Sequence, residues 1–258
     1  MSFTTIEVSE SGAVGAITLN RPEKLNPLSS RTLRELAGAA SWFDERPQVK
    51  VVVVAGAGRA FSAGADVAVF ADAGVPASEQ REAADAGRLM AEAIESMRAI
   101  TIARIQGHCV GGGVVLAGAC DLRIASDSAR FSIPEVDLGI PLAWGGIPRL
   151  VREIGPAMTK ELVLTCRAFA AEEARALGFL NRVLPESELK SGVEDLAAQL
   201  ARKSSLTLNA TKRAVNAASQ DMASTDGAWN DADALLTALH DPESRAAAEE
   251  YLRRLSAR

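Results

Sequence analysis

The sequence predicts an α/β fold in which strands and helices alternate first and helices dominate the rest of the chain. Three observations predict it. Short β-branched or alternating runs recur up to about residue 145, helical patterns separate them, and from about Gly146 onward the patterns are mostly helical. Alternating strands and helices favour stacked layers whose loops present functional groups at strand ends. The 258 residues are enough to bury a substantial core.

The first elements are predicted to be a hairpin, a helix and a buried strand. The runs FTTIEVSE and AVGAITLN are apolar or alternating and are separated by a Ser-Gly pair, which is typical of a β-hairpin. Ser29 or Ser30 can cap the helical pattern that follows. The run KVVVVAG is continuous and β-branched, as in a strand buried on both faces.

The middle of the chain repeats the order of strand, loop and helix. A small-residue loop, AGRAFSAGAD, follows the buried strand, and a polar helix is predicted between Ser78 and Ser96. ITIARIQG is the next strand, three consecutive glycines then open an apolar helix, and DLRIAS is a strand again. Because adjacent glycines cost conformational entropy on folding, we expect that something approaches the bare backbone there.

The C-terminal part is predicted to be helical, with LNRVLP as its one convincing strand. The segments GIPRLVREIG and AMTKELVLT are read as separate helices. We place a soft boundary near residue 195, so that residues 1–195 form the core and residues 196–258 a helical appendage. The sequence contains neither an internal repeat nor a low-complexity linker.

Composition and charge limit the class of protein. Hydrophobic residues make up 48% and charged residues 24% of the chain, which is ordinary for a globular protein. The formal net charge is -5 and the Lys and Arg residues are scattered. This balance argues against a nucleic-acid surface or an anionic membrane surface and leaves room for one local basic patch around a phosphate.

The cysteines and the N-terminus predict a cytoplasmic protein without a metal site. Cys109, Cys120 and Cys166 are widely spaced, lie in apolar surroundings and form no Cys/His ligand spacing. We expect buried free thiols in a reducing compartment. The N-terminal residues lack the basic and apolar segments of a signal peptide, and every apolar run is too short to span a membrane.

The loop after the buried strand does not fit a dinucleotide site. Gly56 and Gly58 match the first two glycines of that fingerprint, but Phe61 stands where the third should be. The same loop contains FSAGAD, whose small residues expose backbone N–H groups. Together with the glycines 111–113, it can form an oxyanion hole from two backbone donors. The alternative is that both loops are only tight connections.

A carboxyl group follows the next strand in the stretch FSIPEVDLGI. Pro134 ends the strand and projects Glu135 from a rigid turn among apolar neighbours. Burial there would raise the pKa of Glu135 and suit it to act as a base. The alternative is a surface glutamate at a strand end.

Together these motifs resemble the enoyl-CoA hydratase/isomerase, or crotonase, family. The resemblance implies a crotonase-like ββα spiral core, a C-terminal helical trimerisation region and an acyl-CoA thioester substrate whose enolate is stabilised. Coenzyme A would be part of the substrate, with no separate cofactor. The matching stretches, in family order, are NRPEKLNPLS, VVVVAGAGRAFSAGAD, QGHCVGGGVVLAGACDLRIAS, FSIPEVDLGI, GGIPRLVREIG and AEEARALGFLNRVLP.

The resemblance also implies roles for individual residues. The two oxyanion donors map onto the N–H groups of Ala63 and Gly112, and Glu135 takes the position of a catalytic glutamate. Coenzyme A would lie across the loop that contains Lys24 and Leu25. It would continue along the segment that contains Gly64, Ala65 and Asp66, while Arg21 and Arg59 are further phosphate partners or solvated surface charges.

One position departs from the hydratases of this family. Those enzymes orient water between two glutamates, but the first of these positions is Val115 here. Position 115 lies one helical turn after Gly112 and should face the same space, so that Glu135 is left as the single base. Asp137 should point away on an extended segment, and His108 is expected to be packed or solvated and not catalytic.

A single carboxyl suffices for a proton shift between two carbons, so we expect a Δ3-to-Δ2 enoyl-CoA isomerase. The alternatives are a hydratase with an atypical one-glutamate site and a catalytically silent acyl-CoA-binding protein. The C-terminal resemblance implies a homotrimer or a dimer of trimers. Acyl chain length is left open, because the pocket-lining helix between Val67 and Met97 matches the family least.

Overall fold

Two β-sheets form the centre of the molecule, and its computed structural model describes residues 3–66 and 76–256. The larger sheet has the strand order β1-β2-β3-β4-β6-β9, and the smaller one β5-β7-β8. The strands are β1 Ile6–Ser11, β2 Val14–Leu19, β3 Val51–Gly56, β4 Ile100–Ile105, β5 His108–Val110, β6 Leu122–Ser126, β7 Arg130–Ser132, β8 Phe169–Ala170 and β9 Arg182–Leu184.

The hairpin and the buried strand are confirmed. β1 and β2 are antiparallel, with Ile6 opposite Leu19, whereas β2, β3, β4, β6 and β9 are parallel neighbours. Val51 and Val52 point to opposite faces of β3, and both are fully buried. This double burial explains the unbroken β-branched run.

Helices cover both faces of the larger sheet and make up the C-terminal part. They are α1 Ser30–Asp44, α2 Ala77–Ser96, α3 Gly112–Gly118, α4 Gly146–Thr165, α5 Ala171–Ala176, α6 Glu186–Ala201, α7 Ser205–Met222, α8 Asp231–His240 and α9 Pro242–Ser256. Ser29 is the N-cap of α1, since its Oγ accepts from the N–H of Thr32 at 3.2 Å. Among the described residues, no helix is long and apolar enough to cross a membrane.

The predicted boundary near residue 195 is wrong, because it falls inside α6. One apolar face of this helix carries Leu189, Val193 and Ala197. They form a cluster with Val51 and Ile102 of the sheet, so α6 belongs to the core. The helices that leave the sheet begin with α7, and α8 packs on α2 through Ala232 and Ala84.

Two further differences from the sequence prediction have local causes. The two predicted helices GIPRLVREIG and AMTKELVLT meet without a loop in α4, where Gly155 (φ 75°, ψ 164°) and Pro156 bend the chain sharply. Strand β8 was not predicted, and its two residues are too few to give an alternating pattern.

Candidate active site

The two small-residue loops lie side by side through strand-like pairing. The N–H of Ser62 donates to the carbonyl of His108 and the N–H of Val110 donates to that of Ser62, both at 3.0 Å. Gly64 has φ +90°, and a Cβ there would come within 2.7 Å of the carbonyl oxygen of Val110. A glycine is therefore needed at position 64, where the segment FSAGAD passes close to the triple glycine.

The same pairing corrects the predicted oxyanion donor. Ala63 is not available, because its N–H donates to the carbonyl of Leu25 at 2.8 Å. Ala65 has an N–H without a hydrogen-bond partner among the described residues, and so has Gly112. Ala65 and Gly112 also line the same cavity, whereas Ala63 does not. Of the two small-residue loops, the N–H groups that are free among the described residues and lie at the cavity therefore belong to Ala65 and Gly112.

Glu135 lies over the triple glycine on the turn that follows β7. Its carbonyl accepts from the N–H of Ile140 at 2.9 Å, and the N–H of Gly111 donates to the carbonyl of Ser132 at 2.9 Å. Gly111 has φ +50°, and a Cβ on it would collide with the carboxyl of Glu135. The bare backbone at position 111 thus leaves the space that this carboxyl occupies.

The Glu135 carboxyl is buried without a charged partner in the described lining of the cavity. The residue is 8% exposed, and its Oε2 has no hydrogen-bond partner among the described residues. Loss of hydration raises the pKa of Glu135 to about 7, although a hydrogen bond with its own backbone opposes this rise. Near neutral pH the group is therefore populated both as acid and as base, as proton transfer requires.

A small cavity of about 30 Å³ adjoins this carboxyl. A space of this size holds a water molecule or a small substituent. Glu135 is its one ionisable side chain within the part of the chain that the structure describes. The lining residues are Ala65, Gly112, Val115, Glu135, Ile140, Pro141, Leu142, Ala143, Trp144 and Leu235.

Val115 faces this cavity, as the helical spacing from Gly112 predicted. It is buried, and a Cβ on Gly146 would come within 2.9 Å of its Cγ2. Its side chain supplies neither a proton nor a lone pair. The position where the sequence lacks a second carboxylate is therefore an apolar wall.

Sequence reasoning missed Trp144, which is the largest side chain at the cavity. Its φ is +64°, an unusual backbone conformation for a bulky residue. The indole contacts the backbone of Gly112, and its Nε1 is buried without a partner among the described residues. A tryptophan next to the glycine pair 145–146, shortly after the Pro-Glu turn, was the available sequence signal.

The residues predicted to hold coenzyme A lie along the edge of this site. Leu28 donates its N–H to the carbonyl of Gly64 at 2.8 Å, so the loop after β2 runs beside the segment FSAGAD. Lys24 is exposed at the end of a short 3₁₀ helix, and Leu25 follows it with φ 60°. Asp66 forms an ion pair with Arg21 at 3.6 Å.

Asn26, which follows Lys24 and Leu25 in the loop matched to coenzyme A binding, organises this edge through hydrogen bonds that the sequence did not predict. The side chain is buried, and its Nδ2 donates to the carbonyls of Ala57 and Ala60 at 2.9 Å. Its Oδ1 accepts from the N–H of Arg21 at 3.0 Å. Asn26 therefore ties the Lys24 loop to the loop that leads into FSAGAD.

The other polar side chains considered in the sequence analysis do not line the small cavity beside Glu135. Asp137 and His108 are both exposed and neither lines it, in agreement with the expectation for each. Cys109 and Cys120 are buried free thiols, whereas Cys166 is half-buried. Among the residues with described positions, no cluster of three or more His, Cys, Asp and Glu side chains could hold a metal ion.

A much larger cavity, of about 650 Å³, lies between α7 and the core and shares no residue with the small one. The buried cations at this cavity have carboxylate partners. Lys212 donates to Asp121 at 2.8 Å, and Arg152 donates to Glu95 at 2.8 Å. If the functional site were chosen by cavity volume alone, the choice would therefore fall on a region of structural ion pairs.

Comparisons with known proteins agree with the fold and the motifs. A family model described as enoyl-CoA hydratase/isomerase matches residues 9–257. A probable enoyl-CoA hydratase of Mycobacterium bovis is 37% identical over 219 residues, which cover 84% of this chain and 83% of that protein. A peroxisomal Delta(3,5)-Delta(2,4)-dienoyl-CoA isomerase of Arabidopsis thaliana is 36% identical over 225 residues, covering 82% of this chain and 81% of that protein.

A solved structure extends the likeness to the whole fold. The crystal structure of an enoyl-CoA hydratase from Mycobacterium avium subsp. paratuberculosis matches with a TM-score of 0.88 at 28% identity, over 96% of this chain and 99% of that one. The predicted α/β fold with a crotonase-like core is confirmed. This chain belongs to the enoyl-CoA hydratase/isomerase family and is an enzyme of the crotonase superfamily.

Proposed function

We propose that this protein moves the double bond of an enoyl-CoA from C3 to C2, with Glu135 as the base. One observation carries the proposal: Glu135 is the single ionisable side chain, within the described parts of the chain, at the cavity that Ala65 and Gly112 also line. A shift of a proton between two carbons of one substrate requires one group that first accepts and then donates it.

The thioester oxygen is held by backbone donors in this proposal. The N–H groups of Ala65 and Gly112 are free of partners among the described residues, and both lie at the cavity. Such donors stabilise the negative charge that develops on the oxygen as the enolate forms. One preorganised donor of this kind contributes roughly 10²- to 10³-fold in rate.

The proton transfer balances with Glu135 alone. Its carboxylate removes a proton from C2 of a 3-enoyl-CoA, and the electron pair of that C–H bond becomes part of a dienolate whose charge lies on the thioester oxygen. The resulting carboxylic acid then returns the proton at C4, which leaves the double bond between C2 and C3. No electrons are exchanged, so the reaction requires no redox cofactor. A pKa of about 7 makes both protonation states accessible.

Hydration of a 2-enoyl-CoA is the second candidate, favoured by the relatives that are named hydratases. Activation of water between two groups would need a second carboxylate beside Glu135. Val115 occupies the facing position and cannot bind water through a polar atom. This difference supports isomerisation over hydration.

Coenzyme A is proposed to lie along the edge formed by the Lys24 loop and the segment FSAGAD. Lys24 is exposed and positively charged, which suits it to meet a phosphate. The backbone of Leu25, Gly64 and Ala65 would contact the pantetheine arm. Asp66 would fix this edge through its ion pair with Arg21.

We also propose that the chain assembles as a homotrimer or a dimer of trimers. Large apolar side chains are exposed on α7, where Leu206 is 80% and Met222 is 73% exposed. The proposal rests on the resemblance of the C-terminal helices to the family, and contact with another subunit would bury these side chains. Sedimentation equilibrium should give three or six times the chain mass, whereas a monomer would contradict assembly.

Product analysis tests the reaction. Purified protein is incubated separately with a 3-enoyl-CoA and a 2-enoyl-CoA, and the products are separated by mass and retention. We expect the 3-enoyl-CoA to become the 2-enoyl-CoA without gain of water. Formation of a 3-hydroxyacyl-CoA from the 2-enoyl-CoA as the main reaction would establish hydration instead. Binding without turnover of either substrate would identify a silent acyl-CoA-binding protein.

A further inference from the structure

We propose that Trp144 selects the acyl group. Its indole closes the pocket beside Glu135, and its N–H donates to a neutral oxygen on the acyl chain. The inferred substrate is therefore a short acyl-CoA that carries a hydroxyl or carbonyl group beyond the thioester. This inference rests on the acyl-CoA site of the proposed function.

Trp144 has an unfavourable backbone conformation, which hydrogen bonds to two helices hold in place. Its φ of +64° is costly for a bulky side chain and persists only where the surroundings determine it. Arg149 donates to the carbonyl of Trp144 at 3.2 Å, and the N–H of Gly145 donates to Asp231 at 2.7 Å. The turn is thus fixed by α4 on one side and by α8 on the other.

The indole fills space that two glycines leave open. Gly87 of α2 faces the five-membered side of the ring system, and Gly112 of α3 faces its six-membered side. A Cβ on either glycine would collide with the indole. Because Gly112 is also the proposed donor to the thioester oxygen, an acyl chain that extends from that thioester meets the indole at once.

The remaining space is small. The cavity beside Glu135 has a volume of about 30 Å³, and Leu142 and Leu235 form further apolar parts of its lining. A space of this size admits a small substituent and no long chain. The indole is the largest of the lining side chains, so it sets this limit.

The indole N–H provides the second part of the selection. Trp144 is 5% exposed, and its Nε1 has no hydrogen-bond partner among the described residues. A buried tryptophan N–H ordinarily has a partner. Within the described lining, this is the one side-chain N–H, so an acceptor oxygen on the ligand would satisfy it. A neutral oxygen fits best, because a carboxylate would meet the charge of ionised Glu135 and the described lining of the cavity contains no cation.

Binding of saturated thioesters, which carry no double bond to shift, tests both parts without isomerisation. The ligands are 4-hydroxybutyryl-CoA, its near-isostere pentanoyl-CoA and the long-chain decanoyl-CoA, and the dissociation constants are measured by calorimetry. For the unmodified protein we expect about tenfold tighter binding of 4-hydroxybutyryl-CoA than of pentanoyl-CoA. Decanoyl-CoA should bind at least tenfold more weakly than pentanoyl-CoA.

Two variants separate the N–H from the ring. Trp144→Phe should lose the preference for the hydroxyl and still exclude decanoyl-CoA, whereas Trp144→Ala should bind decanoyl-CoA at least tenfold more tightly. Trp229→Phe is the matched control, because Trp229 is 54% exposed, and it should behave as the unmodified protein does. Melting curves establish whether each variant is folded. If Trp144→Ala does not fold, the conservative variant Trp144→Phe still decides the test.

Results that contradict the selection by Trp144 differ from a result that contradicts the acyl-CoA site itself. Equal binding of all three thioesters by the unmodified protein would overturn the selection by Trp144, and so would a hydroxyl preference that survives in Trp144→Phe. Failure to bind any of the thioesters would instead contradict the acyl-CoA site on which the inference rests.

Discussion

The two cavities of this enzyme treat buried charge in opposite ways. At the large cavity, the buried cations of Lys212 and Arg149 each have a carboxylate partner, Asp121 and Glu95. At the small cavity, the described lining holds no cation to pair with the Glu135 carboxyl, and Oε2 of that carboxyl has no hydrogen-bond partner among the described residues.

This difference indicates a structural role for the charges at the large cavity and a catalytic role for the carboxyl at the small one. A buried charge with a partner stabilises one packing arrangement, although its net contribution to stability is modest. A buried carboxyl without a partner destabilises the fold and gains a pKa at which it can exchange protons. We therefore propose the small cavity with the uncompensated group as the reaction centre, even though it has about one twentieth of the other cavity's volume.

The largest expected effect concerns Glu135. Glu135→Gln removes the base and keeps the shape of the side chain, so kcat should fall by roughly 10²- to 10⁴-fold with little change in substrate binding. Steady-state isomerisation of a 3-enoyl-CoA measures this. Asp137→Asn, the same type of change on an exposed side chain two residues away, should leave kcat within twofold. Similar losses in both variants would contradict the assignment of Glu135.

The same type of substitution at the large cavity should affect stability and not catalysis. Asp121→Asn leaves the Lys212 ammonium buried without its carboxylate, so the free energy of unfolding should fall by about 3 kcal/mol. Urea unfolding measures the loss, and kcat of the folded variant should stay unchanged. Glu194→Gln breaks the exposed pair with Lys190 and should cost less than about 0.5 kcal/mol. A loss of kcat in Asp121→Asn would break the distinction between the two regions.

A backbone substitution tests the corrected oxyanion donor. Replacement of the amide before Ala65 by an ester removes its N–H and retains the side chain, so kcat should fall roughly 10²- to 10³-fold. The corresponding ester at Ala63 removes the hydrogen bond to Leu25 and should mainly weaken the loop. Kinetics and thermal unfolding of both proteins distinguish the two roles. A larger kinetic loss at position 63 would restore the original sequence prediction.

The last expected effect is a pH-dependent gain in stability. The pKa of Glu135 in the folded protein, about 7, lies above its ordinary value of 4.5, so the folded state binds the proton more tightly. The resulting stabilisation is present below pH 4.5 and is lost as the pH rises through 7. Glu135→Gln does not titrate, so its advantage in unfolding free energy over the unmodified protein should grow by on the order of 3 kcal/mol from pH 4.5 to 8.

Urea unfolding across that range is the measurement, with Asp121→Asn as the comparison. A constant difference between Glu135→Gln and the unmodified protein would show that the carboxyl is not held at a raised pKa. A matching pH-dependent gain in Asp121→Asn would show that the two cavities do not differ in the way described.

The sequence predicted those features that depend on local patterns. The β-branched run of β3, the hairpin of β1 and β2, and the glycine opening of α3 all have periodicity or turn chemistry that short windows reveal. The burial of Glu135 also followed from its turn, because Pro134 and apolar neighbours surround it in the sequence itself. The family motifs then placed these elements in one fold.

Features that depend on distant contacts were missed. Ala63 and Ala65 are both small residues in FSAGAD, and only the pairing with Leu25 and Leu28 decides which N–H is free. The boundary near residue 195 failed because α6 packs on a sheet whose strands lie far away in sequence. Trp144 gave no periodic signal, since its indole fits between glycines of two other helices.

Proton tracking tests most directly whether the uncompensated carboxyl of Glu135 carries the reaction. A 3-enoyl-CoA deuterated at C2 is converted in ordinary water, and the position of the label in the product is determined by mass spectrometry and NMR. A single buried carboxyl predicts a 2-enoyl-CoA in which part of the deuterium has moved from C2 to C4. A product that carries a hydroxyl group from water at C3, or a double-bond shift that persists at full rate in Glu135→Gln, would contradict it.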